Sequence, residues 1–122
     1  MQDYRKLKVW EKSHLLTLSI YQLTNEFPRH ELYGITNQIR RVSSSVPANL
    51  AEGSSKSTDR HRLKYLQIAL GSLNELEYFI LLSLDLKYIN QDLFDEITNR
   101  INEVKRMLLA FISKLKTTKY QP

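Results

Sequence analysis

Three observations predict an all-α protein folded as an antiparallel, up-down-up-down four-helix bundle. Apolar residues recur at steps of three and four through four long segments. The breaks between those segments are only about three to six residues, which makes consecutive helices antiparallel neighbours. Three glycines and three prolines in 122 residues are too few for the turns of an all-β chain. A chain of this length is expected to form one domain with a core of its own, over residues 1–122.

The first helix is predicted over residues 7–26. Val9, Leu16, Ile20, Leu23 and Phe27 share one side, and Pro28 closes the segment. A second stripe, Trp10, His14, Leu18 and Tyr21, falls roughly opposite at 100° per residue. One apolar face is enough for a helix on the surface of a monomer, so two predict that this helix is buried twice.

The second helix is predicted over residues 31–52, with Glu31 at its positive start and Ile35, Ile39, Val42, Val46 and Leu50 on its inner face. It contains the three serines Ser43, Ser44 and Ser45 and then Pro47, all poor helix-interior residues. The proline removes one amide donor and presses on the carbonyl of Ser43, which predicts a kink. Gly53 stands where a left-handed stop is expected.

Ser57 or Thr58 is expected to cap the third helix, over residues 59–87. Its main stripe is Tyr65, Ala69, Leu73, Leu76 and Ile80, with Ser72 and Phe79 at the edges. Leu63, Leu70 and Leu81 lie off that stripe, so this helix too is apolar on more than one face. Asn90 is a suitable cap for the fourth helix, over residues 91–116. There Phe94, Ile97, Ile101, Val104, Leu108, Phe111 and Leu115 alternate steps of three and four without a miss. The tail Thr117–Pro122 is expected to fray.

The net charge of +5 is unevenly laid out. Residues 1–64 hold eleven Lys/Arg against six Asp/Glu, residues 65–104 hold two against seven, and residues 105–122 hold five against none. Three chain reversals bring the basic clusters to one pole: Arg5, Lys6, Lys8 and Lys12; Lys56, Arg60, Arg62 and Lys64; Lys114, Lys116 and Lys119. The opposite pole receives Glu26, Glu31, Asp85, Asp92, Asp95 and Glu96. Cations at a helix start oppose the macrodipole, so dipole stabilisation does not account for the whole cluster. One reading is a phosphate-contact surface for RNA or DNA, salt-sensitive and largely blind to base sequence. The plainer reading is a solvated surface that keeps the protein soluble.

Several chemistries lack their residues. Zero cysteines removes disulfides, thiolate catalysis and Cys-ligated zinc, and fits a cytoplasmic protein. No apolar run approaches the roughly 18 residues of a membrane span, and the opening MQDYRKLKVW has no signal-peptide apolar region. His14, His30 and His61 form no H-x-x-x-H pair, and the three serines have no nucleophile setting. Glu75 and Glu77 sit two apart and diverge on a helix. Glu75 or Glu77 is expected to reach Arg40 or Arg41 as a structural ion pair. The expectation is therefore a non-enzyme with no metal or cofactor.

The segments DYRKLKVWEKS, LYGITNQIRRVSSSVPANLAEG and YLQIALGSLNELE resemble the four-helix bundle proteins encoded by intervening sequences of bacterial 23S ribosomal RNA genes. The likeness covers residues 3–115 and extends to the accessory variability determinant proteins of diversity-generating retroelements. It implies an antiparallel bundle assembled as a ring-like homopentamer, and it implies nucleic-acid binding. It carries no catalytic residues. A subunit interface built on Trp10, His14, Leu18 and Tyr21, with Leu63, Leu70 and Leu81, agrees with that assembly. The alternative is that Trp10 and Tyr21 merely cover the bundle's ends. An adaptor that recruits a protein partner is the second functional expectation.

Overall fold

The computed structural model describes residues 3–119, with side chains described through residue 117. After a short 3-10 turn at Tyr4–Lys6, four helices follow: α1 (Lys8–Thr24), α2 (Ile35–Ser54), α3 (Asp59–Asp85) and α4 (Gln91–Lys119). A second 3-10 turn, Arg29–Glu31, precedes α2. Each helix packs on the next and α4 returns to α1, which leaves α1 and α3 diagonal to one another. Hydrogen bonds from Thr17 to Ser43 and from Arg40 to Thr24 fix α1 and α2 as antiparallel, because one number rises as the other falls. Lys12 reaches Glu103 and Arg100 reaches Ser19, which does the same for α1 and α4.

The core follows the predicted stripes except at the start of α3, where Leu63 and Leu66 are buried and Tyr65, predicted inward, is half-exposed. Leu16, Ile20, Ile39, Val42, Val46, Leu50, Leu73, Leu76, Ile80, Ile101, Val104 and Leu108 are all at most 2 % exposed. Ile112, off the predicted stripe, joins them in the core. Burial of this apolar surface is the main driving force, at about 25 cal/mol per Å².

The start of α2 differs from the expectation: the α-helix begins at Ile35, four residues after Glu31. Glu31 still serves that end, because its Oε1 accepts the amide of Ile35 at 3.4 Å. Its Oε2 accepts the Tyr88 hydroxyl at 2.7 Å, which ties the α1–α2 turn to the α3–α4 turn. α2 also ends later than expected, at Ser54, and runs through Pro47. The Ser43 carbonyl that Pro47 cannot serve is taken by Thr17 Oγ1 of α1 at 2.9 Å.

Gly53 is not a left-handed stop. It lies inside α2 and no glycine has positive φ among the described residues. Its role is close approach: a Cβ there would sit 3.2 Å from Tyr65 Cβ and 3.5 Å from the Arg62 carbonyl. The left-handed residue is Lys87, at φ 64°, after α3 ends earlier than predicted at Asp85. The Tyr88 amide returns to the Ser83 carbonyl and the Lys87 amide to that of Leu84, each at 2.9 Å, a Schellman closure built on a lysine. Both predicted caps are present: Thr58 Oγ1 accepts the His61 amide and Asn90 Oδ1 accepts that of Leu93. α4 continues past residue 116 to Lys119, and the remainder of the predicted frayed tail lies outside the described residues.

Candidate functional site

All four helices contribute an end to one pole. A cleft of about 490 Å³ there has walls from Leu7 ahead of α1, Leu50, Gly53 and Ser54 of α2, Arg62 and Leu66 of α3, and Phe111 and Leu115 of α4. Around it, residues 3–12, 52–64 and 106–116 hold eleven Lys/Arg against four Asp/Glu. At the other end, residues 25–34 and 75–97 hold eight Asp/Glu against two Lys/Arg. The rod is electrically polarised along its axis.

The ten candidate phosphate contacts do not behave alike. Lys6, Lys8, Arg60, Lys64, Lys114 and Lys116 have exposed side chains. Four others engage carboxylates: Arg5 with Asp3 at 3.2 Å, Lys12 with Glu103 at 3.6 Å, Lys56 with Glu52 at 3.1 Å and Arg62 with Asp59 at 2.8 Å. The hydrogen bond from Lys56 to Glu52 raises the lysine pKa. Asp3 is pulled below its ordinary value, first by the Arg5 amide and then by the guanidinium. Surface pairs of this kind contribute little to stability and are screened by salt. Lys119 has no described side chain.

The seven candidate interface residues divide as well. Leu63 lies in the protomer's own core, because the buried face of α3 runs through Leu63, Leu66, Ala69, Leu73, Leu76 and Ile80 at steps of three and four. Leu70 and Trp10 are half-buried against that core. Trp10 stacks on His14, with ring centroids 4.9 Å apart and planes 11° apart, and meets the edge of Tyr4. Leu18, Tyr21 and Leu81 point outward and are 50 %, 43 % and 45 % exposed. Sequence reasoning missed other outward apolar residues, notably Leu15 on α1 and Ile68 and Tyr78 on α3. Their signal was present as a second stripe on α3, Ile68, Gly71, Glu75 and Tyr78, at steps of three, four and three.

The expected pairs between Glu75 or Glu77 and Arg40 or Arg41 do not form. Glu77 takes Lys105 of α4 at 3.1 Å. Arg40 instead turns toward α1, donating to Thr24 Oγ1 at 2.8 Å and Asn25 Oδ1 at 3.1 Å beneath the Tyr21 ring. Arg41 bonds Gln38. The serine run is structural. Ser43 and Ser44 return to carbonyls three residues back, and Ser45 meets Ser72 of α3 at 2.9 Å. His61 Nδ1 meets its own cap, Thr58 Oγ1. Among the described residues no group of three or more His, Cys, Asp or Glu is placed to hold a metal ion, and no helix is long and apolar enough to cross a membrane.

These features define a class, the polarised antiparallel four-helix bundle with its cations gathered at one end. The chain belongs to the 23S rRNA-intervening sequence protein family, which it matches over residues 5–110. It is also similar to a crystal structure from Bacteroides thetaiotaomicron, described as a protein with unknown function from the S23 ribosomal protein family. That likeness has a TM-score of 0.81 at 26 % identity and covers 86 % of this chain and 95 % of the other. No curated protein matches the sequence.

Proposed function

We propose that this family member is a non-enzymatic, cytoplasmic homo-oligomer, a pentamer by its family resemblance, that binds RNA or DNA through the phosphates at its basic pole. The observation that carries this reading is that exposed cations of three distant segments stand at one end of the bundle: Lys6 and Lys8, Arg60 and Lys64, and Lys116. Lys and Arg neutralise phosphates and release counterions, so such a pole binds with little sequence preference and strong salt dependence. With five contacts per protomer, affinity is expected to fall roughly 10²–10³-fold between about 50 and 200 mM salt.

Fluorescence anisotropy with labelled single-stranded and duplex RNA and DNA tests the reading. Arg60→Glu with Lys64→Glu is expected to abolish most of the binding without unfolding the bundle, since both side chains are exposed. Unchanged affinity in that variant, or no salt dependence, would defeat the proposal.

A second reading, an adaptor for a protein partner, is favoured by one observation. Leu32 and Tyr33 are 49 % and 92 % exposed at the acidic pole, where phosphate binding is disfavoured. A stoichiometric partner retained after nuclease treatment and lost in Tyr33→Asp would support it.

A further inference from the structure

We propose that the copies in this oligomer join by a heterologous contact, in which the outward face of α1 on one protomer docks against the outward face of α3 on the next. The inference rests on the oligomeric reading above and specifies its partner surfaces.

Being diagonal in the bundle, α1 and α3 face away from each other, so two copies can engage with unlike faces. The α1 face carries Leu15, Leu18 and Tyr21, and Arg40 of α2 and Arg100 of α4 border the same cleft. The α3 face carries Ile68, Gly71, Glu75, Tyr78 and Leu81, all exposed. One face is apolar with guanidinium flanks; the other is apolar with a carboxylate at its centre. Arg40 is half-buried and held only by neutral partners, Thr24 and Asn25, and by the Tyr21 ring. Among the described residues neither Arg40 nor Glu75 has an ion-pair partner. Pairing α1 with α1 would set arginine against arginine. Pairing α1 with α3 supplies each with its missing counter-charge.

Gly71 is an independent pointer. Glycine inside a helix weakens it relative to alanine, and here, apart from its chain neighbours and the backbone of its own helix, nothing lies within 4 Å of a built Cβ. The protomer gives no packing reason for it, in contrast to Gly53. A neighbouring chain lying close against α3 between Ile68 and Glu75 does.

The two faces also stand at the same height on the rod. Hydrogen bonds join Thr17 to Ser43 and Ser45 to Ser72, and α2 runs opposite to both neighbours, so Leu18 and Glu75 are about level across the bundle. Arg40 lies about two residues, roughly 3 Å, further toward the acidic pole than Glu75, an offset that a long side chain spans. A heterologous contact without rise closes into a ring when its rotation divides the circle, whereas one with rise grows into a filament.

Native mass spectrometry and light scattering across a dilution series test the contact. Glu75→Arg, an exposed change, is expected to weaken association by at least about tenfold while the circular dichroism spectrum stays unchanged. Arg40→Glu combined with Glu75→Arg is expected to restore it, and an equimolar mixture of the two single variants is expected to associate more tightly than either alone. Gly71→Ala is expected to raise the unfolding temperature of the dissociated protomer while weakening assembly, a split that an ordinary helix-stabilising change does not produce. Normal assembly of both Glu75→Arg and Gly71→Ala would overturn this contact and leave the oligomer standing. Failure of the charge swap to rescue would overturn the pairing. A wild-type monomer at micromolar concentration would remove the contact and the oligomeric reading together.

Discussion

Thr17→Val isolates the contact that lets α2 carry a proline in its interior. Pro47 has no amide hydrogen, so the Ser43 carbonyl loses its normal partner four residues on. Thr17 Oγ1 replaces that partner at 2.9 Å, between residues that are 7 % and 1 % exposed, where water does not substitute. The same hydroxyl lies 3.1 Å from the Ser13 carbonyl, but that carbonyl also has the helix amide of Thr17. Valine keeps the shape and deletes the donor, leaving one buried carbonyl unsatisfied at a cost of about 1–3 kcal/mol. With an unfolding entropy of about 2.1 cal/mol/K per residue, that lowers the melting temperature by roughly 4–12 °C. Calorimetry or thermal circular dichroism measures the shift. A double-mutant cycle supplies the sharper assay. In a Pro47→Ala background the backbone amide regained at position 47 serves the Ser43 carbonyl, so Thr17→Val should then cost well under half as much. An equal cost in both backgrounds, or no cost in the first, would refute the coupling of Thr17 to the proline.

Two more perturbations probe the α3–α4 turn. Lys87 holds a left-handed conformation, unfavourable for a residue with a Cβ by about 1 kcal/mol, so Lys87→Gly is expected to raise the melting temperature by roughly 4 °C, whereas Lys87→Val should lower it. The Tyr88 hydroxyl is the main cause that depresses the Glu31 pKa below its ordinary 4.5, and the same bond raises the Tyr88 pKa above 10.0. The depressed carboxyl contributes stability above pH 4.5 that is lost as pH falls through its folded value. The raised phenol contributes stability below pH 10.0 that is lost as pH rises through its folded value. Tyr88→Phe should therefore flatten both limbs and return the Glu31 titration, followed by carboxyl NMR, toward 4.5; an unmoved titration would contradict the assignment.

Much of the fold was legible because helix phase is a local property. Val9, Leu16 and Ile20, or Ile97, Ile101 and Val104, share a face wherever the helix is placed, and burial then selects that face. The caps at Thr58 and Asn90 were legible for the same reason, since each serves an amide three residues away. The basic pole was legible from loop length alone, because short connections force the chain to reverse.

What the tertiary structure decided is partnership between residues distant in the chain. Gly53 reads locally as a helix stop, but the approach of Tyr65 makes it a contact residue. Glu77 chose Lys105, and Arg40 chose Thr24 and Asn25, because the rotation of each helix about its axis sets which long side chains meet. Thr17 became the partner of a carbonyl 26 positions away, and Glu31 that of a hydroxyl 57 away. Periodicity determines which side of a helix goes inward; only the packed bundle determines the height and angle at which two helices face each other.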